Sequence, residues 1–306
     1  MSENGKPKFA MYWAASCGGC EIAVLNINEK ILDVDANFEV VFWPVAMDAK
    51  YKDVEAMPDK SITLTLFNGG IRNDENEHVA KLLRQKSQIM VAFGSCATEG
   101  CIPGLANFSS TKQIYDAVYE GVSTDNPEHI RPQTNYEVPE GTIQIPVFYP
   151  LVRTLHQVVD VDYFMPGCPP ESHQIAAVVD VVVKALNGEA ELPPKGAVIG
   201  AGNSAVCDEC ARKRNVKTIT KFIRIHEAEG IDPELCLLEQ GILCNGPATR
   251  SGCGALCPGM RADVVERLAD SRRRLCGRRQ RMDHAPVPAR APAGRDRLMH
   301  GGLVPW

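Results

Sequence analysis

The chain has 306 residues, 44% of them hydrophobic and 23% charged, with a formal net charge of -5. That length supports two domains with a sizeable core, and the acidic balance argues against a nucleic-acid partner. There is no apolar run long enough to span a bilayer, and the polar start "MSENGKPKFA" has neither a signal-peptide core nor a twin-arginine pair, so the reading is a cytoplasmic protein without membrane attachment.

In chain order, "KFAMYW" (8–13) reads as a strand and "EIAVLNINEKIL" (21–32) as a helix by its apolar spacing. "FEVVFWPVAM" (38–47) fits a strand with Pro44 near its end, and "ITLTLF" (62–67) a second one that stops at "NGG". "DENEHVAKLLRQ" (74–85) is a helix with acids in its first turn, and "SQIMVAF" (87–93) a buried strand ending at Gly94. The segment 121–150, rich in Pro, Gly and polar residues, reads as surface loop. "VDYFMPGCPP" (161–170) is a short strand entering a proline-closed loop, followed by a helix over 171–188 with Gly188 as its stop. Alternating helix and strand predict an α/β fold with a mostly parallel sheet over residues 1–190. "GEAELPPKG" (188–196) marks a boundary, and 191–258 is expected to be a small irregular domain, poor in helix and dense in cysteine.

Twelve cysteines are many for a reducing compartment, where thiols more often bind metal or do redox work than form structural disulfides. Cys17 and Cys20 in "SCGGCE", Cys96 in "GSCATEG" and Cys168 in "PGCPP" each follow a predicted strand. Loops after the strands of an open parallel sheet emerge on one edge, so these four thiols can converge. Four thiolates suit an iron–sulfur cluster or a tetrahedral zinc. One close pair plus two lone cysteines departs from the two close pairs of a zinc ribbon and favours a [4Fe-4S] cubane, with a zinc-stabilised scaffold as the rival. Gly18 and Gly19 let the backbone come close to a bulky cluster, and Pro169 and Pro170 stiffen the loop of Cys168. The histidines at 78, 129, 156, 173 and 226 have no metal spacing, and each reads as a surface or satisfied core residue. Cys101 reads as a small buried neighbour of Cys96, and "ARKRN" (211–215) as a solvated basic face.

"SCGGCE", "GSCATEG" and "PGCPPE", in this order, resemble the small subunit of [NiFe] hydrogenases over residues 8 to about 257, most of all the methyl-viologen-reducing (deazaflavin-nonreducing) gamma subunit of methanogens. The resemblance implies a flavodoxin-like N-terminal domain without flavin. It also implies a proximal [4Fe-4S] cluster on Cys17, Cys20, Cys96 and Cys168, facing a nickel–iron centre in a separate large subunit. Electrons from hydrogen would pass towards an acceptor such as heterodisulfide reductase, reached through a small iron–sulfur subunit. The quinone-reductase subunit of respiratory complexes is a cousin, but it carries adjacent cysteines where this chain has a spaced pair. For Glu21 two readings stand: an acid serving proton movement, as the family implies, or a helix N-terminal carboxylate favoured by the dipole.

The same resemblance implies a distal cluster on Cys207, Cys210, Cys236 and Cys244, with Cys207 where the family often has histidine. A thiolate in place of a neutral imidazole adds negative charge and lowers the potential. Cys253 matches the first medial ligand and Cys257 is a further candidate, but the downstream "CxGC" segment of relatives is missing, so two ligand sets are complete and a third is not. From residue 259 to 306 the chain changes character: eleven arginines and no lysine, no Ile, Phe, Tyr, Asn or Thr, and only Cys276 among the thiols. Against five acidic residues those arginines make the segment +6, leaving -11 for the rest. The abrupt switch to Arg, Ala, Pro and Gly is what a GC-rich gene gives when read out of frame, and this tail is expected to be out of frame and poorly ordered.

Overall fold

The computed structural model describes residues 5–216, 218–224 and 227–259. The arginine-rich tail from 260 on, with Cys276, and also His226, lie outside the described residues.

The first part of the chain runs β1 (Lys8–Trp13), α1 (Gly19–Leu25), α2 (Ile31–Asn37), β2 (Glu39–Phe42), α3 (Tyr51–Glu55), β3 (Ile62–Asn68), β4 (Ile71–Asn73), α4 (Asp74–Lys86), β5 (Ser87–Phe93), α5 (Ser95–Glu99) and α6 (Thr111–Tyr119). It continues through β6 (Asn135–Val138), β7 (Gly141–Gln144), β8 (Phe148–Arg153), β9 (Tyr163–Met165) and α7 (Ser172–Leu186). Five strands form one parallel sheet in the order β2-β1-β3-β5-β9. Taken along the sheet's own strands this is the flavodoxin-like order 2-1-3-4-5. Side chains alternate across a strand, so β1 feeds two cores. Phe9 and Met11 pack with Val24, Val34 and Ile175 from α1, α2 and α7, whereas Ala10 and Tyr12 pack with Val54, Val79 and Leu83 from α3 and α4. A sheet covered on both faces explains why "KFAMYW" and "SQIMVAF" read as near-continuous apolar runs.

Three departures from the sequence reading have local causes. The helix expected over 21–32 breaks in two, because Asn28 takes a left-handed φ of 56° between α1 and α2; asparagine tolerates that conformation better than most residues. The strand expected over 38–47 ends at Phe42, just before Trp43 and Pro44, where a missing N–H cannot extend the ladder. The stretch expected to be loop holds a hairpin, β6 with β7, and β8, which pairs antiparallel with β4.

The chain divides into two compact units between Gly200 and Ala201. Residues 196–200 stay with the sheet because Phe164 N donates to Ala197 O (3.0 Å) and Ile199 N to Phe164 O (2.8 Å), extending the β9 edge past the expected boundary. In the second unit the described residues form turns, isolated bridges, short 3-10 segments at 206–208 and 246–248, and α8 (Leu256–Gly259). Its apolar cluster centres on Leu237 and Ile242, with Ile223, Ala228, Ile231 and Cys244 against them.

Candidate functional site

Three loops meet at the C-terminal edge of the parallel sheet. β1 leads into the turn of Cys17 and Cys20, β5 into Gly94, Ser95 and Cys96, and β9 into Gly167 and Cys168. The last two are tied together: Gly94 N donates to Met165 O (2.8 Å), Ser95 N to Gly167 O (2.7 Å) and Gly167 N to Ser95 Oγ (3.0 Å). The first joins them at Gly94, where an added Cβ would overlap Cys20 Sγ and stand 3.6 Å from Gly167 O. Cys17 is exposed, Cys20 and Cys96 are buried, and Cys168 is half-buried. The topology thus brings the three loops that carry the four predicted cysteines to one edge of the sheet.

The central strand of this edge, β3, supplies a residue that the sequence reading passed over. Asn68, fully buried at its last position, donates from Nδ2 to Ser16 Oγ (3.1 Å) and to Glu21 Oε2 (2.8 Å). It holds both ends of the cysteine turn. The available signal was a polar residue closing an otherwise apolar strand just before "GG". Glu21 is 3% exposed, and burial pushes its carboxyl up to about 7 against the pull of its own backbone N–H and Asn68. Glu21 lies in the first turn of α1, as the helix N-terminal reading expects, but buried there.

In the second unit Cys207, Cys210, Cys236 and Cys244 line one small cavity, partly open to solvent, with Val206, Leu237 and Leu238 in its walls. Gly246 sits between two of the thiols: a Cβ there would lie 3.2 Å from Cys207 Sγ and 3.5 Å from Cys244 Sγ. Burial raises the Cys207 thiol, Arg214 opposes this, and Cys236 and Cys210 add to it. Burial likewise raises Cys244, a bond from Gly246 N opposes it, and Cys207, Cys236 and Cys210 contribute repulsion. Crowded, desolvated thiols of this kind are held as thiolates when a cation or cluster takes up their charge.

The basic run 211–215 is not uniformly solvated. Arg212 is buried, with Nε on Pro258 O (2.6 Å) and Nη1 on Asp232 O (2.9 Å) and Leu235 O (3.0 Å), while Lys213 and Arg214 are exposed. Burial raises the Cys253 thiol against backbone bonds from Ala255 and Leu256, and Glu209 and Cys257 add repulsion. Glu209 also anchors this turn by accepting from Gly252 N (2.6 Å) and Gly254 N (3.1 Å). Cys101 is buried, as expected of a neighbour of the Cys96 loop. His78 pairs with Glu55 and His129 with Glu120.

Among the described residues, no three His, Cys, Asp or Glu side chains close tightly enough to hold a single metal ion. A tetrahedral zinc with bonds of about 2.3 Å needs sulfurs about 3.8 Å apart. A cubane puts each thiolate on a different iron at a different corner, so its ligands stand wider. Both groups offer soft donors beside glycines, Gly94 in the first and Gly246 in the second.

A family model described as NADH ubiquinone oxidoreductase, 20 Kd subunit, matches residues 17–182, the span carrying the first cysteine group. The iron–sulfur subunit of the F420-non-reducing hydrogenase of Archaeoglobus profundus is 46% identical over 82% of this chain and 78% of its own length. A vhu subunit of the F420-non-reducing hydrogenase of Methanocaldococcus jannaschii is 39% identical over 82% and 77%. Among solved structures, an NAD+-reducing [NiFe]-hydrogenase in the H2-reduced state matches with a TM-score of 0.51 and 26% identity, over 61% of this chain and 96% of that one. The [NiFeSe] hydrogenase of Desulfovibrio vulgaris Hildenborough, at 15% identity and a TM-score of 0.51 over 84% of this chain and 89% of that one, shares the fold. This chain belongs to the [NiFe] hydrogenase small-subunit family. Within that family it is an oxidoreductase subunit of the F420-non-reducing type.

Proposed function

We propose that the chain is the electron-transfer small subunit of a cytoplasmic [NiFe] hydrogenase, working beside a large subunit that splits hydrogen and delivering electrons towards an acceptor such as heterodisulfide reductase through a small iron–sulfur subunit. Cys17, Cys20, Cys96 and Cys168 would hold a proximal [4Fe-4S] cluster, and Cys207, Cys210, Cys236 and Cys244 a distal one; such clusters supply one-electron redox chemistry. Cys253 and Cys257 are part of an incomplete third set. The observation that carries this reading is the meeting of three strand ends around Gly94, with Cys20 Sγ against it and the Cys96 and Cys168 loops bonded to each other. No helix among the described residues is long and apolar enough to cross a membrane.

The test is the anaerobically purified complex. A brown protein, bleached by dithionite, holding about eight or more irons per chain and carrying a nickel subunit supports the reading. A colourless, zinc-containing chain overturns the cluster assignment, and a membrane arm in place of the nickel subunit overturns the hydrogenase assignment.

The proposal gives Glu21 a role in proton movement, supported by its burial one residue from Cys20 and its bond from Asn68. Glu21→Gln keeps the Asn68 contact and removes the acid. It is expected to leave iron content unchanged and to lower hydrogen-dependent dye reduction by about 100-fold, the usual scale for losing a positioned acid–base group. Full activity in E21Q would return Glu21 to a structural role.

A further inference from the structure

Asn68 closes the central strand of the sheet and is enclosed there. It is 0% exposed and in register with Trp13 of β1 on one side and Phe93 of β5 on the other, and its backbone oxygen accepts from Ala14 N (2.8 Å). Its side-chain nitrogen donates to Ser16 Oγ (3.1 Å) and to Glu21 Oε2 (2.8 Å). Ser16 stands just before Cys17 and Glu21 just after Cys20, so one amide grips the cysteine turn at both ends. The grip also fixes which way the amide faces, because a flip would set its oxygen against an oxygen of Glu21.

The amide oxygen is thereby left over. Oδ1 meets no donor among the described residues. It lies 3.6 Å from the point where a Cβ on Gly94 would stand, and Cys20 Sγ overlaps the same point. An enclosed acceptor without a donor lowers stability, and native folds keep few of them, redox sites being among the exceptions. Here the negative end of a fixed dipole shares the space around Gly94 with a sulfur of the first cysteine group. A negative end beside a cluster favours its more positive, oxidised state, and within a sheet covered on both faces little solvent screens that field.

We propose that Asn68 is a positioning residue of the first cluster and also tunes it: Nδ2 holds the cysteine turn, and Oδ1 lowers the midpoint potential. This rests on the proximal-cluster reading above. The complex is purified anaerobically, iron is measured per chain, and the cluster midpoints are read by potentiometric EPR. Asn68→Leu, close in size, removes both the donor and the oxygen. It is expected to raise one midpoint until reduction is about tenfold more favourable, or about 59 mV for a one-electron couple, while the other midpoint stays. Asn68→Asp gives up the amide donor but keeps an oxygen at Oδ1, and its midpoint is expected at or below that of the wild type. Both variants should lose iron to a chelator about tenfold faster, the scale of losing a residue that orients a ligand. A wild-type midpoint in an iron-replete N68L overturns the inference alone. An equal rise in N68D and N68L overturns it as well, because it traces the shift to a loosened turn and not to the oxygen. Wild-type chelator rates in both variants overturn the holding role. Loss of all iron in both marks a folding defect and overturns the inference too. A wild-type chain with no reducible cluster overturns the reading on which the inference rests.

Discussion

Replacing Gly94 with alanine is expected to destabilise the first unit by about 2–6 kcal/mol and to remove about four irons from each chain. Two effects combine. Gly94 has φ 81° and ψ 159°, a region essentially restricted to glycine, which costs on the order of 1–3 kcal/mol for any other residue. An added methyl would also overlap Cys20 Sγ, and crowding of a packed site adds about 1–3 kcal/mol more. The sulfur must then move from the place where it faces the Cys96 and Cys168 loops. Gly188→Ala is the matched comparison, because Gly188 also has a positive φ, 75°, with nothing within 4 Å of the added carbon. It should lose only about 1–2 kcal/mol and keep all its iron. Iron analysis and thermal unfolding of the two variants read the difference. If G94A keeps wild-type iron, the three strand ends do not converge as described.

The strands were legible because a parallel sheet buried on both faces leaves continuous apolar runs. "SQIMVAF" and "ITLTLF" could be nothing else at that length, and their bounds were met within one residue. Two of the cysteine loops were legible for a related reason, since Gly94 closes β5 before Cys96 and Pro166 closes β9 before Cys168. What escaped the sequence was set by contacts remote along the chain. Asn68 becomes a site residue only because β1 and β3 are neighbours, which brings Ser16 and Glu21 to its amide. Arg212 reads as one more charge in a basic run until carbonyls at 232, 235 and 258 surround it. β8 was hidden because its partner β4 lies far back in the sequence on a short ladder of its own, and its exposed Phe148 and Leu151 spoil the alternation that marks a half-buried strand.

The second large effect is expected at Cys207. If the four cysteines around one cavity hold a cluster, as proposed, that cluster stabilises the second unit as well as carrying electrons, because metal binding and folding are coupled. Cys207→His substitutes a neutral imidazole for a thiolate, which takes one negative charge from the cluster's ligand shell. Net charge is among the main determinants of cluster potential, and imidazole ligation of iron–sulfur centres raises it on the order of 100 mV or more. C207H is therefore expected to keep its iron and shift the distal midpoint upward by about 100 mV in a potentiometric EPR titration. C207A, which supplies no donor, should lose the cluster and much of the unit's protection from proteolysis. The local field favours this outcome: Cys207 already bears the cost of burial and of Cys236 and Cys210, eased only by Arg214, so removing its charge relieves repulsion. An unshifted potential in an iron-replete C207H would show that Cys207 is not a ligand, and the all-cysteine distal site would have to be reassigned.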